Sequence, residues 1–111
     1  MDKIQWSDFE KVELRVGTIT HVERFPEARK PAFKVWVNFG EFGIRQSSAQ
    51  ITDRYTAESL VGKQVLGVLN FEPKRIAGFK SEVLITGVEQ QPGVVVLLSP
   101  DFEVPNGAKL F

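Results

Sequence analysis

Apolar residues in this chain recur at every second position, in short runs broken by glycine and proline, and that pattern leaves few folds open. Phe33, Val35, Val37 and Phe39 alternate with Lys34, Trp36 and Asn38, the period of a strand with one face on a core. Trp36 falls on the opposite face, where it covers a barrel end or a partner. Val12, Leu14 and Val16 start a first strand in the same way, but the next apolar residue, Ile19, comes after three positions, with Gly17 in the gap. That parity change beside a glycine predicts a bulge that bends the strand. A long bent strand serves two sides of a small closed barrel. Ile44 to Ile51 reads as a third strand, although Gln46-Ser-Ser-Ala-Gln50 is unusually polar and small. Gln64 to Phe71 reads as a fourth, nearly continuous in apolar residues and hence buried. Val83 to Val88 and Val94 to Leu98 follow, joined around Pro92-Gly93. The one sizeable helix expected lies within Thr52 to Gly62, with Thr56 as its cap and Gly62 at the left-handed position past its end. Short strands, one helix after the third and no strand–helix–strand alternation predict an all-β fold, a small closed barrel.

A chain of 111 residues suits one domain, with the barrel core at about residues 12–99. Hydrophobic residues make up 42% and charged residues 25%, enough apolar side chains for an ordinary core. There is no cysteine, which excludes a disulfide scaffold and a thiolate metal site. No apolar run is long enough to span a bilayer and none follows a charged start, so no membrane insertion is expected and the cytoplasm is the expected compartment. The formal net charge is zero, which argues against coating nucleic acid by bulk electrostatics. The charge is unevenly spread: residues 1–27 and 83–111 each carry a balance of −2, and residues 28–82 carry +4.

The middle block contains the stretch with the most distinctive chemistry, Asn70-Phe-Glu-Pro-Lys-Arg-Ile-Ala-Gly-Phe-Lys-Ser-Glu82. Pro73 and Gly78 argue against a central strand. Lys74, Arg75 and Lys80 are interleaved with Phe71, Ile76 and Phe79. That mixture suits a surface that grips something partly charged and partly apolar. Glu82 beside Ser81 reads as a local hydrogen-bond anchor. Upstream, Phe25-Pro-Glu-Ala-Arg-Lys-Pro31 reads as a loop with two adjacent cations. Catalytic signals are missing. The single histidine, His21, has no second histidine and no cysteine beside it, which fits a surface or packing residue. Ser47 and Ser48 lack a nucleophile-elbow frame, and no glycine-rich phosphate loop occurs. The chain reads as a binder, not an enzyme, with no metal and no cofactor.

Leu14-Arg-Val-Gly-Thr-Ile19, Phe25-Pro-Glu-Ala28, Leu60-Val-Gly-Lys63 and Ile76-Ala-Gly-Phe-Lys-Ser-Glu82 resemble the tRNA-binding domain family. That module is appended to some methionyl-tRNA synthetases and to the β chain of bacterial phenylalanyl-tRNA synthetase. The resemblance covers nearly the whole chain in order. It implies an OB-fold, a five-stranded Greek-key barrel with one short helix between strands 3 and 4, here with N- and C-terminal extensions. Ser47-Ser-Ala-Gln-Ile-Thr52, Asn70-Phe71, Lys74 to Leu84 and Glu103-Val-Pro-Asn-Gly107 are similar to a stand-alone branch of the family. That branch is described as homodimeric, export-related chaperones, which implies peptides or unfolded preproteins as partners, along with the SecA translocation motor. Synthetase-type modules read Ser-Glu-Gly-Met where this chain has Ser81-Glu82-Val83-Leu84, which places Val83 where a backbone would approach a ligand.

Two functions follow as expectations. In the first, a non-enzymatic chaperone, Phe71, Ile76 and Phe79 bury apolar client side chains while Lys74, Arg75 and Lys80 engage carbonyls or carboxylates. The family fold implies that Arg45, Ser47 and Ser48 face the same groove, and Asn70, Ser81 and Glu82 complete it. In the second, structure-specific tRNA binding, the same groove offers cations to phosphates and aromatic faces to unstacked bases. At the ends, Ser7-Asp-Phe-Glu10 reads as a capping box opening a helical turn just after Trp6. Trp6 and Phe9 at one terminus and Leu110 and Phe111 at the other either cover barrel openings or pair across a two-fold axis, and a homodimer is expected.

Overall fold

The computed structural model describes all residues from Met1 to Phe111. Helix α1 (Trp6–Glu10) precedes strands β1 (Leu14–Arg24), β2 (Phe33–Asn38) and β3 (Ile44–Ala49). A single helical turn, α2 (Ala57–Leu60), leads to β4 (Gln64–Val68). Two short hairpins and one two-residue strand complete the chain: β5 (Lys74–Ile76) with β6 (Phe79–Ser81), then β7 (Leu84–Ile85), then β8 (Gly87–Gln91) with β9 (Val94–Leu97). The main sheet is antiparallel, in the order β3-β2-β1-β4-β7. It curls until β3 meets the segment around Glu82, whose N–H donates to the Gln46 carbonyl at 2.8 Å. The result is a five-stranded, nearly closed barrel with a short helix after its third strand, an OB-type architecture.

Strand β1 serves two sides, as its length suggested: residues 14–18 pair with β4 and residues 18–24 with β2. The irregularity lies between Ile19 and His21, past Gly17. Gly17 has a different task. A Cβ there would come within 2.6 Å of Val37 Cγ1 and 2.7 Å of Phe39 Cδ1. The fully buried Phe39 ring also presses on Gly67, where a Cβ would lie 2.8 Å from Phe39 Cζ. Two bare backbone positions thus make room for one core phenylalanine. The alternation of β2 holds throughout: Phe33, Val35 and Val37 are buried and Trp36 lies outside.

The short helix expected between the third and fourth strands is present as one turn, held because Thr56 Oγ1 accepts the Ser59 N–H at 3.1 Å and Leu60 plugs the core. Gly62 past its end does adopt φ +92°. Two expectations needed correction. The N-terminal helix begins two residues earlier than the capping box suggested, so that Gln5, not Ser7, precedes it. The Asp8 carboxylate accepts the Gln5 N–H at 2.9 Å, and Trp6, now inside the helix, stacks on Phe9 three residues on at 5.3 Å. The stretch from Val83 to Val88 is not one strand but β7 and the start of β8, broken at Thr86. The Thr86 N–H donates to the Leu66 carbonyl at 2.9 Å and its own carbonyl accepts from the Leu98 N–H at 3.2 Å.

The C-terminal segment is a strap. Strand β2 leaves the first half of β1 without a partner on that edge, and the strap fills the gap. Val16 donates to the Ala108 carbonyl, Gly107 to the Val16 carbonyl and Leu110 to the Leu14 carbonyl, at 2.9, 2.7 and 2.9 Å. An open edge is thereby covered. Asn106-Gly107 makes the turn, as its sequence suggested, and Asn106 Oδ1 accepts from the Thr18 hydroxyl at 2.7 Å.

Candidate functional site

The site is built around the β5–β6 hairpin. Its two-residue turn, Ala77-Gly78, has φ of +47° and +84°, both left-handed, as a two-residue hairpin of matching twist requires. Opposite one another across the hairpin stand Lys74 and Ser81, Arg75 and Lys80, Ile76 and Phe79. Period-two alternation places Lys74, Ile76, Phe79 and Ser81 on the side that meets the barrel and Arg75 with Lys80 on the other.

The polar run on the third strand is explained by the seam it makes with this hairpin. Ser48 N–H donates to Ser81 Oγ at 3.1 Å. Gln46 N–H donates to the Glu82 carboxylate at 3.2 Å, and the Gln46 side-chain amide donates to the Lys80 carbonyl at 2.8 Å. Glu82 and Ser81 are thus a hydrogen-bond anchor, but a long-range one to the third strand where a local one was expected. Side chains here replace strand pairing, because the hairpin leaves the main sheet too early to continue its ladder. Ser47, 2% exposed, lies beneath, its hydroxyl donating to the Ser48 carbonyl at 3.2 Å.

Two hollows flank the hairpin. One is a trough of about 900 Å³ between β3, the hairpin and the start of β7 and β8. Phe71, Ile76 and Leu84 give it apolar walls, Lys74, Glu72 and Glu82 give it charge, and Ser47, Ser48 and Ser81 lie along it. Phe71 and Leu84 are 59% and 50% exposed, large apolar side chains left to solvent. The other hollow, of about 740 Å³, lies between the hairpin and the loop before β2, and Arg29, Lys30 and Arg75 line it. Ser48, Gln50 and Ile76 belong to both.

The expected groove residues thus divide. Ser47, Ser48, Phe71, Lys74, Ile76, Ser81 and Glu82 come together in the trough. Arg75 lines the neighbouring hollow. Phe79 lines neither: it packs edge-on against Phe25 and Trp36, ring centroids 5.5 and 5.9 Å away, with the Lys34 ammonium 5.2 Å from its centroid. It fastens the hairpin to the barrel, and Trp36 covers that fastening. Lys80 is exposed on the outer side of the hairpin. Arg45 donates to the Phe42 and Leu69 carbonyls, both at 3.3 Å, and braces a barrel end. Asn70 is a clamp: its amide donates to the Lys11 carbonyl at 2.7 Å and its Oδ1 accepts the Glu13 N–H at 3.0 Å. Val83, expected where the chain's backbone would approach a ligand, is buried against Gly67 and lines the trough. His21 sits on the surface, 2.8 Å from Glu23 and stacked on Trp36. Sequence reading missed the trough wall at Leu84 and the role of the Arg29-Lys30 pair, although the pair's place in a proline-flanked loop was a visible signal.

The termini form a third feature. Trp6, Phe9, Leu110 and Phe111 gather, with Val12, around a hollow of about 160 Å³. The strap that brings Leu110 there is tied by Arg15, whose guanidinium donates to the Gly107 carbonyl at 3.1 Å and to Glu13 at 2.9 Å, 4.5 Å above the Phe42 ring. Lys109 reaches the other Glu13 oxygen at 3.4 Å. The Arg15 hydrogen bond, with the charges of Lys109 and Arg15, holds the Glu13 carboxyl below its usual range against a smaller desolvation effect.

Comparison with known proteins agrees with this geometry. A chaperone CsaA from Bacillus anthracis str. Ames is 53% identical, with a TM-score of 0.94 over 99% of this chain and 100% of that one. A CsaA chaperone protein from Picrophilus torridus is 44% identical, with a TM-score of 0.90 over 98% of this chain and 100% of that one. A methionine–tRNA ligase from Methanosarcina acetivorans is 33% identical over 110 residues, 99% of this chain but 15% of the ligase. The chain thus spans under a fifth of the length of such ligases. The sequence pattern described as "Putative tRNA binding domain" matches residues 14–109. A match over most of the chain, on an OB-type barrel, places this protein in the tRNA-binding domain family.

Proposed function

We propose that this chain is a non-catalytic cytoplasmic chaperone that holds apolar segments of unfolded preproteins in the trough beside the β5–β6 hairpin. The observation that carries this reading is the trough itself, with Phe71 and Leu84 left exposed at its wall and Lys74 and Glu82 set among them. Each apolar client side chain fully buried there contributes about 1.5–3 kcal/mol before the cost of ordering the client. Lys74 adds a donor for client carbonyls or carboxylates. Few strong contacts and an open apolar wall suit weak binding of many sequences. The two chaperone-named relatives, alike over their full length, support the same reading. It extends to protein export, to a homodimer and to association with the SecA translocation motor.

Family membership favours a second reading, binding of structured tRNA. The two differ in their response to salt. Release of counterions from several phosphates makes RNA affinity fall steeply with salt, whereas an apolar grip is nearly flat. Titration of reduced, carboxymethylated α-lactalbumin and of tRNA at two salt concentrations separates them. Salt-insensitive lactalbumin binding, weakened at least about tenfold by Phe71→Ala with Leu84→Ala, is expected. Absence of lactalbumin binding at both concentrations sinks the chaperone reading.

A further inference from the structure

Strand β8 has a partner on one side only. It pairs antiparallel with β9, and no other strand joins it. The Leu97 N–H turns away from β8 to the Tyr55 hydroxyl at 3.0 Å, so Leu97 and Gly87, which stand opposite, are a pair without mutual hydrogen bonds. Such pairs alternate with bonded ones along an antiparallel ladder. The N–H and C=O of Gly87 therefore point to the open edge, and those of Glu89, two residues on, point the same way. The irregularity between Glu89 and Gln91 ends the regular edge there. All five β8 residues are exposed, and none has a main-chain hydrogen bond to anything but β9. An edge of this kind is a template for another chain unless proline or charge blocks it. Here Pro92 comes only after the strand, and the Glu89 carboxylate is turned back to accept the Gly93 N–H at 2.8 Å. The trough begins at this edge: Thr86, Gly87 and Val95 line it, and Leu97, on the same face of the ribbon as Val95, is buried.

We propose that a client segment joins the open edge of β8 as an added strand, so that the clients held are extended segments with an apolar residue at every second position. This rests on the client-binding reading above and names the class of segment it takes. Main-chain bonds to Gly87 and Glu89 supply affinity that is indifferent to sequence. Every second side chain of the added strand falls on the face that bears Val95, the face turned to the trough with its walls at Phe71 and Leu84. The alternate side chains face away and are free to be polar. A helical segment is rejected, because its own N–H groups are already bonded within the helix.

The test uses the full chain and a fluorescent peptide of alternating threonine and valine with lysine at both ends. Two further copies of the peptide are N-methylated, one at every valine and one at every threonine. An added strand turns the N–H groups of one set to β8 and those of the other set to solvent. One methylated copy is therefore expected to lose affinity at least about tenfold, and the other to stay within about twofold of the parent peptide. On the protein side, Glu89→Pro removes an outward N–H and no ladder bond, the placement in which an edge strand tolerates proline. It is expected to weaken peptide binding at least about tenfold at an unchanged urea midpoint, while Glu89→Ala, which keeps the N–H, binds as before. If Glu89→Pro lowers the midpoint, the methylated peptides decide alone. Equal affinities of the two methylated copies overturn the added strand. So does a dimer that sediments as a monomer in Glu89→Pro, since a second copy then occupies the edge. Reduced, carboxymethylated α-lactalbumin that binds, and binds less well to Phe71→Ala with Leu84→Ala but equally well to Glu89→Pro, overturns the added strand and leaves the client reading standing. Failure of both the peptide and lactalbumin to bind the unmodified chain overturns the two together.

Discussion

At the scale of single residues, the barrel depends on how one ring meets two glycines. Phe39 fills the interior between Gly17 and Gly67, and neither position has room for a methyl group. Gly17→Ala is expected to lower stability by about 1–3 kcal/mol through overpacking, read as a lower urea midpoint at unchanged slope. The same change in a Phe39→Leu background should cost less, since the smaller side chain relieves the Phe39 part of the clash while the Val37 contact stays, and a double-mutant cycle measures the difference. Ala77 is the opposite case, a residue poorly matched to its conformation. Its φ of +47° disfavours a side chain with a Cβ, and asparagine tolerates that region better. Ala77→Asn is expected to raise stability by up to about 1 kcal/mol, and a lower urea midpoint would refute the strain.

Among the elements, the C-terminal strap is the one whose attachment titrates. Glu13 joins Arg15 of β1 to Lys109 of the strap, and its carboxyl is held below the usual range. A carboxyl depressed in the folded state stabilises it fully above the unfolded value, about 4.3, and that contribution is lost as pH falls through the folded value. Hydrogen exchange at the Leu110 amide, which closes the strap, is therefore expected to accelerate below about pH 4 relative to the Val35 amide in the core. Glu13→Gln should abolish the acid-dependent part of that difference. An unchanged pH profile in this variant would show that the strap is held by its backbone bonds alone. The β5–β6 hairpin is fastened differently, by the Phe79 ring, the Gln46–Lys80 bond and the seam bonds to Ser81 and Glu82.

For the whole molecule, the terminal patch is where we propose that two copies meet. Trp6 is 64% exposed and Phe111 99% exposed, beside Phe9 and Leu110, at a place where one chain ends and begins. Covering such a patch with its copy across a two-fold axis buries the same residues twice and sets two troughs on one particle. Sedimentation at micromolar concentration is expected to give a dimer, and Trp6→Ala with Phe111→Ala a monomer. A monomer without those changes would overturn the assembly. The structure contains no helix long and apolar enough to cross a membrane.

What the sequence determined by itself was whatever depends on neighbours along the chain. The inside and outside of β2 follow from period two, the Thr56 cap and the Gly62 stop follow from local backbone chemistry, and the turn at Asn106-Gly107 follows from its dipeptide. The residues of the central stretch announced their mixed chemistry, and seven of the expected site residues do share the trough. The tertiary structure decided how that chemistry was sorted. Ser81 reaches Ser48 and Glu82 reaches Gln46 across 33 and 36 positions, Asn70 reaches Lys11 across 59, and these bonds fix where each face of the hairpin points. Phe79 went to the barrel wall, Arg75 to a hollow shared with Arg29, and Arg45 to a barrel end. Composition assigns no direction to a side chain. Register and closure do, and they exist only once distant strands have met.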